Sequence, residues 1–381
     1  MMDHMSSAER IETAIALGKP DRVPVVPIID FFASHYGGIT QHEMFFDLKK
    51  ADRALLKTMH ELGSMDGQNF SYAGMGRIML LAFPTPPVMP GVNGQEPDAQ
   101  FQFVEASVME PQEYMELIER GPNRWIMDKL KINHPSLSNP LNLAKALAAV
   151  ICDNLKFRRS MKRMRGHGVE SLVAYNIAFP PLEFLSLMMR SFNEFTIDLF
   201  RYPDEVEAAC KALREPLCKL GLLLVALSGV KRVFMGGTRT SASFMSPRLF
   251  EKFALPEWEA VCDFFIRRGI TPVLHFDSDW TPFFHYFREL PKGKCVMNLD
   301  GTSDIFKARE VLGDRMCIMG DVPAAMLKLG EPEEVDEYCR RLIEELGQDG
   351  GFILSSGCTV PIDARPENVS TMLQSVKKYR K

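Results

Sequence analysis

The 381-residue sequence lacks long apolar runs, a basic leader and a strong net charge. No window approaches about 18 uninterrupted apolar residues, so we expect no membrane span. The amino terminus, MMDHMSSAERIETAIALGKP, has no basic stretch followed by an apolar one, which argues against a secretory signal. With 45 basic and 49 acidic residues the formal net charge is −4, so we expect no general attraction to nucleic acid or anionic lipid.

Closely paired cysteines and several common catalytic motifs are also absent. Eight cysteines are scattered along the chain, a pattern typical of a reducing compartment in which thiols stay free or bind metal. We therefore expect a cytoplasmic protein. The sequence has no G-x-S-x-G elbow, no P-loop and no H-E-x-x-H helix, which argues against the chemistries that these motifs mark.

Short apolar runs alternate with long helical patterns along the chain. Such alternation predicts parallel strands joined by right-handed crossovers. We predict a single α/β domain over residues 1–381, a (β/α)8 TIM barrel with an N-terminal helical extension and a Pro- and Gly-rich insertion or cap over 81–123. Ser6 with Glu9 is a capping-box pattern that starts the first helix. The eight strand-like runs cover residues 25–30, 65–70, 171–178, 231–237, 271–277, 295–300, 316–321 and 351–357.

Polar residues stand where most of these apolar runs stop. In a TIM barrel the βα loops open at the carboxyl ends of the strands, so catalytic groups gather there. His275 and Asp277 end the fifth run and, being two residues apart on a strand, point to one face. Cys358 follows the eighth run. Asp300 and Asp321 also end runs, but capping of the next helix is the more ordinary role of such residues.

An imidazole, a carboxylate and a thiolate that converge at one barrel mouth form a three-ligand zinc set with a fourth position open for water or substrate. Taken singly, His275 has the alternative of a satisfied structural histidine, and Cys358 that of a buried, inert thiol. A Cys358–His275 nucleophilic pair is a further alternative, although Asp277 on the same strand face favours a metal. The paired glycines in MGGTRTSAS, which include Gly236, predict a loop that either cradles a phosphate or lets a substrate approach the backbone closely, and we favour a substrate loop.

Three segments of the chain fit motifs of one known family. The stretch SSGCTVPIDARPENV fits a terminal motif G-(H or C)-x-I-P-x-D-x-x-x-E-N, with Val360 in the isoleucine position. ERIETAIALGKPDRVPVVP is similar to the usual opening of that family, and MSPRLFEKFALPEWEAV to its middle helix. The chain therefore resembles the uroporphyrinogen decarboxylase superfamily over nearly its whole length, most weakly over 80–170. This resemblance implies the same barrel fold.

The resemblance implies one of two chemistries. The decarboxylases bind the acidic side chains of a tetrapyrrole through an N-terminal arginine-bearing segment and need no metal. Here PIIDFFASHYGG has no arginine, and Cys358 stands where those enzymes typically carry histidine. The other branch consists of zinc-dependent methyltransferases that exchange a methyl group with a corrinoid protein, including coenzyme M and O-demethylase methyltransferases. Their ligands, H-x-C and a later Cys, match His275 and Cys358, whereas Asp277 replaces the first cysteine. Cys317 or Glu183 could substitute as the third ligand.

Asp277 in place of a cysteine favours one class of methyl donor. A carboxylate is a harder and less electron-donating ligand than a thiolate, so a His/Asp/Cys zinc site should be the stronger Lewis acid. We therefore expect Zn²⁺ to polarise the oxygen of a methyl ether, with the methyl group passing to the Co(I) of a docked corrinoid protein. A methylamine, a betaine or a methylthiol stays open as the donor. Both a monomer and a homodimer are compatible with the sequence.

Two other functions compete with this prediction. One is a metal-free decarboxylase of a porphyrinogen-like acid, with Asp30 as the charged group, and the missing arginines count against it. The other is a non-catalytic barrel that holds a corrinoid, and the converging polar groups count against it because unpaired charge is costly without a task. In the methyltransferase, aromatic residues would form a pocket for a small methylated substrate, although each alone is as readily explained as core. The candidate substrate-binding residues are Asp30, Phe31, Phe32, Tyr72, Tyr175, Asn176, Gly236, Trp280 and Asn298.

Overall fold

Strands and helices alternate along the chain in a computed structural model that describes residues 3–85 and 87–380. None of the helices in these two ranges is both long and apolar enough to cross a membrane. The strands are β1 (Gly67–Phe70), β2 (Glu170–Ala174), β3 (Arg232–Gly237), β4 (Thr271–Phe276), β5 (Val296–Leu299), β6 (Cys317–Val322) and β7 (Phe352–Ser356).

α-Helices, 3-10 helices and π-helices connect these strands. The α-helices are α1 (Ser7–Ile15), α2 (Asp30–Gly37), α3 (Gln41–Phe46), α4 (Leu48–Leu62), α5 (Gly76–Ala82), α6 (Glu113–Arg120), α7 (Pro122–Asn133), α8 (Pro140–Gly166), α9 (Pro181–Phe184), α10 (Phe192–Arg201), α11 (Pro203–Ser228), α12 (Pro247–Leu249), α13 (Leu255–Ile266), α14 (Ile305–Leu312), α15 (Ala324–Leu329), α16 (Pro332–Arg341) and α17 (Pro366–Lys378). The 3-10 helices are Pro135–Ser138 and Thr281–Glu289. The π-helices are Leu185–Met189, Phe250–Ala254 and Leu342–Leu346.

All pairings between the strands are parallel. Five strands form a sheet in the order β3-β4-β5-β6-β7, and β1 pairs with β2. In this register Gly236 of β3, His275 of β4 and Asn298 of β5 lie side by side. Every residue of β5, β6 and β7 is buried, as expected for parallel strands that helices cover.

An irregular extended segment, residues 24–28, lies between β7 and β1 where the first strand was predicted. The Val26 N–H donates to the Leu354 carbonyl of β7 (2.8 Å), and the Asn69 N–H of β1 donates to the Pro27 carbonyl (3.0 Å). The pairing stays irregular because two of these five residues are proline and have no N–H to donate. The segment nevertheless joins the first and last strands of the chain.

A second irregular segment joins β2 to β3. The Phe234 N–H of β3 donates to the Asn176 carbonyl (2.9 Å), and the Ala178 N–H donates back to the Phe234 carbonyl (2.9 Å). The strand predicted over 171–178 ends early because Ala174, with a φ of 57°, leaves the extended region. With both junctions hydrogen-bonded, eight extended segments complete a parallel ring. The predicted α/β barrel is confirmed, with its first strand reduced to an irregular segment.

A buried ionic cluster fixes the closing segment to the N-terminal helix. The Asp66 carboxylate is 1% exposed and accepts hydrogen bonds from the Val25 N–H (3.0 Å) and from the guanidinium groups of Arg10 (2.5 Å) and Arg22 (2.6 Å). Arg10 lies on α1, which begins with the predicted capping box. Buried charges hold such a geometry when each is paired and hydrogen-bonded. The N-terminal extension is therefore part of the barrel's closure.

The predicted cap over 81–123 has little regular structure. It contains the end of α5, a single antiparallel bridge between Val88 and Gln102, α6, and the start of α7. Pro86 lies outside the described residues. The ring of Phe103 packs edge-on against that of Phe83, with centroids 5.7 Å apart, so aromatic contacts bring the two ends of the irregular stretch together.

Asp30 begins α2 and ties this helix to the residues around β1. Its carboxylate is 1% exposed and accepts hydrogen bonds from the Tyr72 N–H (2.6 Å) and from the side-chain amide of Gln68. Burial raises the pKa of Asp30 to about 7, because it outweighs the opposing effect of these hydrogen bonds. The folded protein therefore holds a proton on Asp30 more tightly than the unfolded chain does.

We predict that Asp30 makes the protein less stable as the pH rises from 5 to 8. In this window the unfolded chain, with an aspartate pKa of about 4, has released the proton that the folded protein retains until about pH 7. Raising the pH then favours unfolding by up to about 1.4 kcal/mol per pH unit. The urea midpoint of the Asp30→Asn variant should fall less between pH 5 and pH 8 than that of the wild-type protein.

The matched control is Asp314→Asn, which changes an exposed carboxylate whose pKa is lowered by a hydrogen bond from Arg288. This variant should keep the wild-type pH dependence, because Asp314 is already ionised throughout the window. An equal fall in the wild-type protein and in Asp30→Asn would contradict the role given to Asp30.

Candidate metal centre

His275, Asp277 and Cys358 meet at the carboxyl ends of β4 and β7. His275 is the penultimate residue of β4, Asp277 follows that strand, and Cys358 comes two residues after β7. The Nε2 atom of His275 is 3.3 Å from a carboxylate oxygen of Asp277. One ligand atom from each of the three side chains lies within 4.8 Å of the other two. The fold thus brings together the three residues that the sequence predicted as a metal site.

Gly357 controls the path of the chain into Cys358. Its N–H donates to the Val322 carbonyl of β6 (2.9 Å). A Cβ at this position would lie 2.1 Å from the carbonyl oxygen of Asp300, so any side chain would push the loop away from its neighbour. The close approach of the two backbones therefore requires glycine immediately before the cysteine.

Asn298 orients the His275 ring. The Oδ1 atom of Asn298 is 2.7 Å from Nδ1 of His275 and also accepts a hydrogen bond from the Asn69 amide (2.9 Å). Because this oxygen is an acceptor, Nδ1 carries the proton that it receives, and Nε2 is left facing Asp277 as the ligand atom. Asn298 was predicted to bind substrate, whereas the structure places it against the histidine. Asn69 was not predicted, because only the pairing of strands reveals it.

The charges around His275 favour a cation. Burial lowers the pKa of His275, but Asp277 and, next, Cys358 outweigh burial and raise this pKa well above its ordinary value. A site that stabilises a buried imidazolium attracts positive charge, and a metal ion would take the place of the proton. One imidazole nitrogen, one carboxylate oxygen and one thiolate sulfur fit zinc, with a fourth position open.

A cavity of about 220 Å³ lies beside the three ligands, and its wall is mainly apolar. His275, Asp277 and Cys358 form part of its polar wall, so a molecule in the cavity would reach the ligands from an apolar side. In the described part of the chain, eight aromatic rings line this cavity, those of Phe70, Tyr72, Phe83, Phe103, Tyr175, Phe179, Phe184 and Phe234.

Three of the predicted substrate-binding residues line the cavity, namely Tyr72, Tyr175 and Gly236. Phe234 was not predicted, although it lies two residues before Gly236 on β3 and so points to the same face of the sheet. Phe103 comes from the predicted cap, where no regular spacing indicates which side chain faces inward. The prediction that aromatic residues line the cavity is therefore right, but most of the particular aromatic residues that line it were not predicted.

Six candidates for substrate binding lie outside the cavity wall, Asn298 among them. Asp30 is held by the hydrogen bonds described above, and Phe32 is buried in the core. Phe31 stacks on Tyr72 with ring centroids 4.9 Å apart, so it supports the wall from behind. The Asn176 amide donates to two backbone carbonyls at 2.9 and 2.8 Å, and thereby helps to join β2 to β3.

Trp280, another of these six candidates, supports Asp277 instead of lining the cavity. Its ring is buried and stacks on that of Phe276 with centroids 3.9 Å apart. Its indole N–H donates to the backbone carbonyl of Asp277 (2.9 Å). Ser278, which follows Asp277, has a φ of 71°, a value that is uncommon outside glycine. Trp280 therefore holds the sharp turn that presents Asp277.

Neither Cys317 nor Glu183 joins the ligand set. Cys317 begins β6 and therefore lies at the opposite end of the sheet from Cys358, where burial raises the pKa of its thiol. The Glu183 carboxylate lines the cavity but accepts hydrogen bonds from the Thr240 hydroxyl (2.6 Å) and from the N–H groups of Arg239 (3.1 Å) and Thr240 (3.0 Å). It anchors the loop after β3, and burial raises its pKa. The glycines that were predicted to lie in this loop, Gly236 and Gly237, instead end β3.

The sequence of this chain is similar to proteins of one known family. The family model described as "Uroporphyrinogen decarboxylase (URO-D)" matches residues 172–379. The uroporphyrinogen decarboxylase of Methylococcus capsulatus is 31% identical over 112 residues, which cover 29% of this chain and 31% of that protein. That of Geobacter metallireducens is 30% identical over 140 residues, 36% of this chain and 40% of that protein. The chain thus matches between about a third and two fifths of the length of these curated relatives.

A solved structure extends the likeness of fold to the whole chain. The methyltransferase from Methanosarcina mazei superposes with a TM-score of 0.69 over 99% of this chain and 100% of that one, at 15% sequence identity. Identity this low shows a common fold alone. Because the family model covers more than half of the sequence, including β3 to β7 and Cys358, this chain belongs to the uroporphyrinogen decarboxylase (URO-D) family.

Proposed function

We propose that this protein is a zinc-dependent methyltransferase that moves a methyl group from a small methylated substrate, with a methyl ether favoured, to the Co(I) of a corrinoid protein. The observation that carries the proposal is the meeting of His275, Asp277 and Cys358 at one side of an apolar cavity. Such a set leaves a fourth position for a substrate oxygen. The shared fold of the Methanosarcina mazei methyltransferase supports the assignment.

The residues around the site have separate tasks in this reaction. Bound zinc would act as a Lewis acid on the donor oxygen, which keeps the C–O electron pair as the methyl group leaves. Asp277, as a hard ligand, suits this role better than a second thiolate would. Asn298 fixes the ring of His275, and Trp280 fixes the turn at Asp277. The apolar wall holds the substrate in place and keeps water away from it.

Two features argue against a metal-free decarboxylase, the activity of the curated relatives. The acidic side chains of a tetrapyrrole need cationic partners, but no lysine or arginine is among the described residues that line the cavity. Residues 27–38 contain no arginine either. A cavity of roughly 150 Å³ in another protein binds benzene, so about 220 Å³ suits one substituted ring better than four pyrroles.

A corrinoid-binding barrel without catalytic activity also fits the site less well. The buried His275 beside Asp277 and Cys358 is an arrangement of polar groups that costs free energy unless it binds something. A corrinoid held only by its flat ring would not need three convergent metal ligands. Catalysis at a metal accounts for all three side chains.

The first prediction from this proposal concerns metal content. Wild-type protein purified without chelator should contain about one zinc per chain, measured by inductively coupled plasma mass spectrometry. Cys358→Ala and His275→Ala should lose this zinc, because two ligands do not retain it. Cys152→Ala, at an exposed cysteine, should retain it and serves as the matched control. Wild-type protein without metal, or unchanged zinc in Cys358→Ala, would contradict the proposal.

A second prediction concerns the positioning role of Asn298. The Asn298→Ala variant removes the acceptor of the His275 Nδ1 proton and should weaken zinc binding by roughly 10- to 100-fold, measured by competition with a chromogenic chelator. Asn298→Asp retains an acceptor oxygen and should recover most of the affinity. A purely structural role for Asn298 would instead leave the zinc affinity of folded Asn298→Ala equal to that of the wild-type protein.

A third prediction tests the reaction itself. Zinc-loaded protein should transfer methyl groups from a methoxyarene to free cob(I)alamin under anaerobic conditions, followed by the absorbance change of the cobalamin. Folded Cys358→Ala should show no transfer above the uncatalysed rate, because it lacks a metal ligand. Release of carbon dioxide from uroporphyrinogen by metal-free protein, with no methyl transfer by the zinc-loaded protein, would establish the decarboxylase instead.

A further inference from the structure

The two halves of helix α8 differ in how they meet the rest of the chain. The buried side chains of α8 all lie in its second half, namely Asn154, Phe157, Ser160 and Met164. In that half Arg163 donates a hydrogen bond to the Asp52 carboxylate of α4 (3.1 Å), which fixes the helix to the barrel. Residues 140–153, by contrast, contain no buried side chain. The first half of α8 therefore lies at the surface.

This first half is too apolar for a helix that faces only water. Residues 143–151, LAKALAAVI, contain one charged residue, Lys145, among eight apolar ones. A helix that is apolar nearly all round is normally buried, and a contiguous exposed apolar patch commonly marks a binding surface. Four large apolar side chains here are between 50% and 62% exposed, those of Leu141, Leu147, Ile151 and Leu155. The segment therefore has the composition of a surface that a partner covers.

The exposed apolar residues include a stripe with the spacing of a coiled coil. Its members are all exposed, and they are Leu141, Ala144, Ala148, Ile151 and Leu155. Successive members are three or four residues apart, which is the repeat that packs one helix along another. At a rise of about 1.5 Å per residue the stripe is about 21 Å long. The partner that fits this surface is another helix with a matching apolar stripe.

We infer that this partner is a second copy of the chain, whose α8 packs antiparallel against the first. A two-fold axis between residues 149 and 150 makes the same stripe face itself, as in an isologous dimer. This axis places Ile151 level with Ala148 of the second copy, and Leu155 level with Ala144 of the second copy. Each large side chain then meets a small one, so the two stripes interlock at close packing.

A parallel pair of helices or a highly charged partner fits the stripe less well. A parallel pair would place Ala144 against Ala144 and Ala148 against Ala148, which leaves a gap in the middle of the seam and loses contacts there. Among the exposed residues of 141–155, Lys145 alone is charged. A strongly acidic or basic partner would bury charges that this surface does not match, whereas a second copy brings only the apolar stripe.

The dimer should be weak, because each copy contributes little more than one helix face. A stripe about 21 Å long covers only part of the roughly 800 Å² that each partner contributes to a standard interface. The large-to-small packing nevertheless buries four leucines or isoleucines of the stripe and its border in each copy. We therefore expect a dissociation constant in the micromolar range.

Sedimentation velocity of the purified protein tests whether this surface joins two copies. The wild-type protein should change from monomer to dimer between roughly 1 and 200 μM. Ile151→Glu puts a carboxylate into the apolar seam and should raise the dissociation constant at least roughly tenfold. Ile197→Glu on α10 makes the same change at a similarly exposed isoleucine, 48% against 54%, and should dimerise like the wild type. A wild-type monomer at every concentration, or equal weakening by both variants, would overturn the inference.

Cysteine cross-linking tests the antiparallel arrangement with variants that remove no large apolar contact near the axis. Cys152→Ala provides the background, because it removes the exposed native thiol. In this background Ala148→Cys lies within about 4.5 Å, along the helix, of the same residue of the second copy, so mild oxidation with copper phenanthroline should link two chains through a disulfide. Leu141→Cys lies about 25 Å from its equivalent and should not link. Linkage at position 141 and not at position 148 would overturn the antiparallel dimer.

Discussion

Closure of the strand ring is the constraint on which the site depends. β4 and β7 are far apart in the sequence and are separated by two strands in the sheet. Their carboxyl ends still face one opening because residues 24–28 connect β7 to β1 through backbone hydrogen bonds. The buried Asp66 cluster holds that segment to α1. Without this closure, nothing would bring Cys358 at the end of β7 next to His275 at the end of β4.

The order of strands and helices along the chain was predicted more accurately than the contacts between them. Apolar runs of the right length identified seven observed strands, and the first predicted strand became an irregular segment because two prolines interrupt it. The strand ends located His275, Asp277 and Cys358, because chemistry in a barrel is confined to one rim. Residue type and spacing carry this information without knowledge of any particular contact.

The roles of neighbouring polar residues could not be predicted, because they depend on register and hydrogen-bond partners. Asn298 was expected to bind substrate, but β5 pairs beside β4 with Asn298 opposite His275, so its oxygen serves the histidine. Trp280 was expected in the pocket, and it holds the turn at Asp277 instead. Asp30 ends a strand-like run, yet its carboxylate accepts a hydrogen bond from the backbone N–H of Tyr72, shortly after β1. The position of a residue at a strand end predicts that it lies near the opening of the barrel, but it does not predict which group its side chain contacts.

We propose that His275, Asp277 and Cys358 together hold one zinc ion beside a mainly apolar cavity that aromatic rings line. X-ray absorption at the zinc edge of the purified protein tests this claim most directly. We expect a single sulfur at about 2.3 Å, with the other ligands nitrogen or oxygen at about 2.0 to 2.2 Å. A first shell without sulfur would exclude Cys358, and a shell with two sulfurs would mean that a second cysteine, and not Asp277, completes the site.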